Sequence, residues 1–404
     1  MSGALNSVYN NVSFALHLHS NALAALQENV TTGSRVNRSS DAPSSAYRVL
    51  GLNSQQRYLT NYMNNIDTAM SAQDMMSSVL QDMATTITET RVNLTQIVSG
   101  TYGEGQAGQD ARERSAREIN DVLEQMVSSA NTKHTGQYLF GGENTSTAPY
   151  AVERNSNGEI TRVTYQGSLE ERKTEMAPGV LTDISFAGND IFGMDNRGTP
   201  VFYGTTGASA GSGTSNVRGD VWLTVEYDTV NSNYKLSIDD GATWVAVPAA
   251  PADTTNIAVT NASGQVLYVN ASTITAEGVE MVKVPGTYDL FNALISTRDL
   301  LRNERGLPTT TVMDLMEQAA TAMEATKNVL VEKETSIGSK INFLDALKNS
   351  LENVKANGEE EATMLQEADI AQIAIDISRR ETLYEMSLSV AGKLMSVSLL
   401  DFIQ

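Results

Sequence analysis

The sequence predicts an α+β protein in which a long α-helical coiled-coil bundle, built from both chain ends, carries an inserted β-rich domain. Three observations lead there. Up to about Asn131 the chain is poor in proline and carries helical periodicity; from Gly136 to Pro285 glycine, threonine, tyrosine and short β-branched runs take over; from Thr287 to Gln404 helical periodicity returns. A helical pattern that is interrupted and then resumed is expected of a β domain inserted into one helical domain, so the two ends should meet in space. The expected division is an axial-core helix and loop at 1–44, a helical rod at 45–136, a β domain at 137–197, an additional β subdomain at 198–286, the second part of the rod at 287–357 and a closing axial-core helix at 358–404.

Element by element, Leu16, Leu23, Leu26 and Val30 mark the apolar face of a first helix that ends at Gly33. In the stretch GSRVNRSSDAP that follows, Ser39, Ser40 and Asp41 are candidate N-caps, and Pro43 is tolerated in a first turn. The next segment has Val49, Leu52, Leu59, Met63, Ile66, Met70, Leu80, Ala84, Ile87, Leu94 and Val98 on one alternating 3,4 series, broken by Gln56, Gln73, Ser77 and Arg91. That is a heptad seam, and a helix from 45 to 99 would be roughly 80 Å long at about 1.5 Å per residue. TYGEGQAGQ breaks it, and a third helix is expected from about Asp110 to Asn131 with Ile119, Val122 and Met126 inward.

The middle zone offers the strand-like runs ITRVTY, VWLTVEY, YKLSID and QVLYV, separated by NSNG, NSN and DDG turn signals, and should be antiparallel. The run GTTGASAGSGTSN reads as a flexible connection between two small β subdomains. After Pro308, threonines 309 to 311 open a helix with Val312, Leu315, Ala319, Ala322, Val329, Ile337, Ile341, Leu344, Leu351 and Val354 inward. Gly358 is expected to interrupt it, with Glu359, Glu360 and Glu361 at the start of the next helix, where negative charge is favourable.

Composition narrows the function. The 404 residues hold 28 Lys plus Arg against 48 Asp plus Glu, a net charge of −20, which disfavours nucleic acid as a partner because nothing neutralises phosphate. Cysteine is absent, so disulfides, thiolate metal sites and cysteine nucleophiles are excluded. No stretch approaches the roughly 20 apolar residues that span a bilayer, so membrane insertion is not expected. The opening MSGALNSVYNNVSFALHLHS lacks the basic and apolar regions of a signal peptide, so secretion would take another route.

Motifs for chemistry are missing. Gly207 to Gly211 match the nucleophile-elbow pattern around Ser209, but a Gly/Ser/Thr tract follows where a helix is required. His17 and His19 stand two apart and point to different faces, so no metal set forms with them. There is no HExxH, EF-hand, Walker A or GxGxxG pattern, hence no expected catalytic residue, metal or cofactor. Residues 1 to 27 contain no Asp, Glu, Lys or Arg, and 386 to 404 carry only Lys393 and Asp401. Charge depletion beside an apolar stripe is what the buried centre of a protein interface looks like, so both ends are expected to be buried between subunits.

Specific residues carry a family resemblance. Gly33-Ser-Arg-Val-Asn37-Arg-Ser-Ser-Asp41-Ala-Pro43 and Asn64-Asn65-Ile66-Asp67-Thr68-Ala69 resemble the first loop and following helix of flagellin-related axial proteins. Asn131-Thr132 with Gly136-Gln-Tyr-Leu-Phe140-Gly-Gly142, and the tail Leu394 to Phe402, resemble the hook-filament junction branch of the flagellin superfamily. Val163-Thr-Tyr-Gln-Gly167 and Asp190-Ile-Phe-Gly193 fall where that family places its first β elements. The resemblance covers both helical zones and about 137 to 195, and leaves 198 to 283 outside it. It implies a structural, non-enzymatic component of the bacterial flagellum, exported by the type III apparatus. Its implied partners are other copies of itself in a ring, the first hook-associated junction protein, flagellin, whose polymerisation it would seed, and an export chaperone. The subunit-interface residues it implies are Leu16, Leu23, Leu26, Val30, Leu388, Leu394, Leu399, Leu400 and Phe402. A flagellin-like filament subunit, or a β-domain adhesin, are the competing readings.

Overall fold

The computed structural model describes residues 2–38, 40–99, 105–195, 197–249 and 252–403, and the side chains within that set except those of 2–9, 194–195, 288 and 394–403. The helices are α1 (Ser2–Thr32), α2 (Pro43–Val98), α3 (Gln106–Ala130), the single turn α4 (Gly188–Ile191), α5 (Leu290–Arg302), α6 (Thr309–Gln366) and α7 (Ile370–Ile403), with all named strands lying between α3 and α5. The chain forms two compact units: 1–64 with 346–404, and 65–345.

In the first unit the two ends do meet. α1 packs along α7, as the interrupted helical pattern predicts. Gly33, with φ of +66°, turns the chain out of α1 in the left-handed conformation that favours glycine. The loop beyond α1 is stitched to the end of α6: Arg35 N donates to Gln366 O at 2.6 Å, and Ala368 N donates to Gly33 O at 3.1 Å. Asp41 caps no helix; its Oδ2 accepts from Asn37 N and Arg38 N, closing the loop on itself. Ser39 lies outside the described residues.

α6 runs through Gly358 to Gln366 and thus overturns the expected interruption, so Glu359, Glu360 and Glu361 lie inside a helix rather than at the start of one. A glycine costs a helix only about 1 kcal/mol, and a Cβ here would stand 4.0 Å from Leu52 Cδ2, so the site is already packed as helix. The true break is Glu367–Asp369, where Asp369 Oδ1 accepts from Gln372 N as the N-cap of α7.

In the second unit α2, α3, α5 and α6 share one apolar core. The 3,4 period of α2 is present, but its seam lies beside the expected one. Leu59, Ile66, Leu80, Ala84, Ile87 and Leu94 are buried as predicted, and Gln73, expected as a break in the row, is fully buried as well, while the second row is otherwise Ala69, Met76, Met83, Thr90 and Ile97, one residue before the expected Met70, Ser77, Arg91 and Val98. Met76, Met83 and Ile97 fill more volume than Ser77 or Ala84, and Arg91 stays at the margin to pair with Glu324 at 3.2 Å. On α6, Val354 is exposed rather than inward.

All strand pairs are antiparallel, as expected. Gln137–Tyr138 closes a two-strand hairpin with Lys133–His134, and Tyr150–Arg154 pairs with Ile160–Tyr165. Of Asp190-Ile-Phe-Gly193, Asp190 and Ile191 lie in the turn α4, and Gly193 opens the short strand Gly193–Asp195, which pairs with Thr287–Asp289. Further on, a five-stranded sheet has the order Val245–Ala246, Asn233–Ser237, Gly219–Asp228, Gly278–Val284, Val201–Tyr203, and a three-stranded sheet the order Ile257–Thr260, Val266–Asn270, Ser209–Ala210. Leu223, Val225, Leu236 and Val282 of the first share a core with Val259, Leu267 and Val269 of the second. Trp222 and Met281, on the opposite face of the larger sheet, pack toward the helical core, so this sheet serves two cores.

The Gly/Ser-rich run is not a free connection. Thr206 N and Oγ1 both donate to the buried Glu280 Oε1, at 2.6 and 2.7 Å, Gly211 N donates to Tyr268 O, and Ser209–Ala210 is an edge strand. Small side chains let the backbone approach the sheet, and backbone hydrogen bonds hold it there.

Candidate subunit interface

The residues that carry the family resemblance outside the termini are a structural joint. Phe140 is fully buried, its ring 5.0 Å from that of Phe192, and Tyr150 stacks at 4.8 Å on Phe291 of α5. Asn131 grips Tyr150 on both sides, Nδ2 donating to its carbonyl and Oδ1 accepting from its N–H, each at 3.0 Å. Tyr165 Oη donates to Ser168 O at 2.8 Å, and burial pushes its hydroxyl pKa up. Gly142 has φ of +62°, and a Cβ there would stand 2.3 Å from Ser168 O, so only glycine fits. These residue types join helix to hairpin and touch no candidate chemistry. Ser209 sits on a two-residue strand with no helix behind it.

The surface left unsatisfied in the first unit lies on α1 and α7. Glu28 is the single Asp, Glu, Lys or Arg among the 31 residues of α1. Between the two helices runs a groove of about 530 Å³ lined by Ala22, Ala25, Leu26 and Asn29 of α1 and Asp376, Arg379, Arg380 and Leu383 of α7. A second, of about 320 Å³, is lined by Asn11, Val12, Ala15, Leu383, Met386, Ser387 and Val390. His19 Nδ1 lies 3.4 Å from Arg380 Nη1, a contact that ties the two helices.

Of the residues expected at the interface, Leu16, Leu23 and Leu26 are already half-buried in the single chain, whereas Val30 and Leu388 are exposed. Leu394, Leu399, Leu400 and Phe402 stand on α7, but their side chains lie outside the described residues. Sequence reasoning missed the most open positions. Phe14 is 70% exposed and Met386 61%, with Leu18, Ile375 and Val390 also exposed. The signal was available: Phe14 and Leu18 are four apart and so share a face, and each stands two residues from Leu16, about 200° round the helix from it. The two rows divide the helix into a side half-covered within the chain and a side left open.

Among the described residues no helix is long and apolar enough to cross a membrane. Residues 5–145 match the bacterial flagellin N-terminal helical region. The chain is 27% identical over 166 residues to flagellar hook-associated protein 3 of Escherichia coli (strain K12), a match covering 41% of this chain and 48%, about half, of that relative. Its fold is similar to the crystal structure of flagellar hook associated protein-3 from Legionella pneumophila, with a TM-score of 0.51 at 15% identity, covering 78% of this chain and 98% of that one. The crystal structure of Xanthomonas campestris FlgL is matched at a TM-score of 0.49 and 19% identity, over 76% of this chain and 97% of that one. The matched N-terminal region, the hook-associated relative and the fold bear out the resemblance read from the sequence: this chain is similar to the hook-filament junction proteins of the flagellin superfamily.

Proposed function

We propose that the chain is a structural component of the flagellar hook-filament junction, which assembles with copies of itself through α1 and α7 and seeds flagellin polymerisation. The observation that carries this reading is the pairing of the terminal helices, α1 with Glu28 as its single charged residue and α7 with only Lys393 and Asp401 from Met386 on, which leaves Phe14, Leu18, Met386 and Val390 open to solvent in the single chain. A side chain such as Phe14 loses its contact with water only when another surface covers it. In this reading 1–44 and 358–404 form the axial core, 45–136 and 287–357 the rod, and 137–197 and 198–286 the outward β parts. Partners on either side are the first hook-associated junction protein and flagellin. An export chaperone shields the apolar C-terminal helix before type III export to the extracellular flagellum.

A deletion strain tests the assignment. Hooks that keep the first junction protein but shed unpolymerised flagellin into the medium are expected; normal filaments would refute it.

A further inference from the structure

The chain crosses between the terminal and the long helices twice, at 33–42 from α1 to α2 and at Glu367–Asp369 from α6 to α7. Ser34 and Glu367 face each other there as an isolated antiparallel bridge. Two backbone bonds flank it, Arg35 N donating to Gln366 O at 2.6 Å and Ala368 N to Gly33 O at 3.1 Å. That pattern makes Ser34 and Glu367 a non-hydrogen-bonded pair, the kind that stands closest across two strands. Arg35 adds its guanidinium, Nη2 donating to Leu365 O at 3.3 Å.

The last four carbonyls of a helix find no donor within it. At the end of α6, the carbonyls of Leu365 and Gln366 are both taken by Arg35 of the other crossing. Just past α1, the carbonyl of Gly33 is taken by Ala368, a buried residue one position before Asp369, the N-cap of α7. Each crossing thus closes the end of the helix that leads into the other. The 33–42 loop is also tied to the last turns of α1, through Asn37 Nδ2 donating to Asn29 Oδ1 at 2.8 Å and the Arg38–Glu28 ion pair at 3.3 Å. An unbroken run of bonds leads from α1 through the bridge to the first turn of α7.

We propose that this joint couples the two terminal helices, so that α1 and α7 gain and lose order as one unit and the surface they carry is presented whole or not at all. Fraying of either crossing uncaps backbone groups on the other, so neither opens without a cost to its partner. The helices have little else to hold them. Leu16, Leu23 and Leu26 of α1 are only half-buried, and among the described side chains of α7 Ile373 alone is buried. Most helical stability in proteins comes from packing of an apolar face, so a pair that shares so thin a core depends on its anchored end. What the coupling means for assembly rests on the reading of α1 and α7 as the subunit contact; the coupling itself does not.

Amide exchange of the dilute full chain tests it. Ser34→Cys with Glu367→Cys puts thiols on a pair whose Cα atoms stand about 4.5 Å apart in this geometry, within the disulfide range of about 4.4–6.8 Å. The natural chain has no cysteine to compete. Reduced and oxidised forms of the one variant are compared, so any loss caused by the substitutions themselves cancels. Locking the bridge should raise protection in α1 and in α7 by a common factor of about tenfold or more. α3, in the other compact unit, should not change. A gain confined to one helix or to the joint, no gain in either, or a pair that will not oxidise in the folded chain would overturn the proposal. Arg35→Ala removes the bond to Leu365 O and leaves the backbone bonds in place, and should lower both terminal helices by one shared factor. A loss confined to α6 would equally end the coupling. Because the monomer is measured, failure here leaves the assembly reading standing, and normal filaments in the deletion strain would leave the coupling standing.

Discussion

Phe14→Ser separates assembly from folding. The ring is 70% exposed in the single chain. A phenylalanine buries about 150–250 Å² when fully covered, so about 100–175 Å² remains for a neighbouring copy to cover. At about 25 cal/mol per Å² that area is worth about 3 kcal/mol per copy, or about a hundredfold in the concentration at which copies associate. Folding of the monomer gains almost nothing from an exposed ring, so its unfolding free energy should shift by no more than about 0.5 kcal/mol. The assay is sedimentation velocity across a concentration series, paired with chemical denaturation of the dilute monomer, with Phe14→Leu as a control that keeps most of the apolar area. Association at the wild-type concentration, or a monomer destabilised as much as the assembly, would refute the reasoning.

Three further outcomes are expected. Glu159 is held near a pKa of about 2 chiefly by the Arg302 guanidinium, against the opposing effect of burial. Because this lies below the unfolded glutamate value of about 4.3, its stabilisation is present above that value and is lost as pH falls toward the folded one. Glu159→Gln should accordingly flatten the decline in melting temperature across that acid range; an unchanged slope would count against the pair. Met76→Ala should cost about 2–5 kcal/mol, the usual penalty for emptying a core methionine position; Met70→Ala, on the row the structure leaves at the margin, should cost clearly less, and equal losses in denaturant titrations would contradict the seam assignment. Gly358→Ala should stabilise by about 0.4–1 kcal/mol, because α6 is helical through this position and the unfolded chain loses freedom; a lower melting temperature would restore the break the sequence suggested.

Much of the fold was legible because period is a local property. The 3,4 spacing in α2 and α6, the stop at Gly33 and the strand runs ITRVTY and QVLYV need only neighbours a few residues away, and they fell within a few residues of the observed elements. The misreadings share a different cause. Choosing between the Met76–Met83 row and the Ser77–Ala84 row depends on which side the partner helices occupy, and two rows one residue apart share a period. Gly358 looks like a stop on propensity alone, which takes no account of Leu52 beside it. The Gly/Ser run looks loose in sequence because its hydrogen-bond partners, Tyr268, Asn256 and Glu280, stand 43 to 74 positions away.

The candidate interface divides in the same way. Charge depletion at both ends is visible in the chain, and it pointed to α1 and α7 without coordinates. Which apolar residues the chain uses for its own pairing, and which it leaves open, was decided by packing: Leu16, Leu23 and Leu26 are half-covered, and Phe14, Leu18 and Met386 are not. What the sequence alone determined, then, was the alternation of helical, β-rich and helical zones and the chemical character of the ends. Tertiary structure decided the seam on α2, the course of α6, the ordering of the Gly/Ser run and which apolar residues of α1 and α7 stay exposed. Burial is a relation between segments distant in the chain, and hydrophobicity written along one segment records that a face must be covered without naming what covers it.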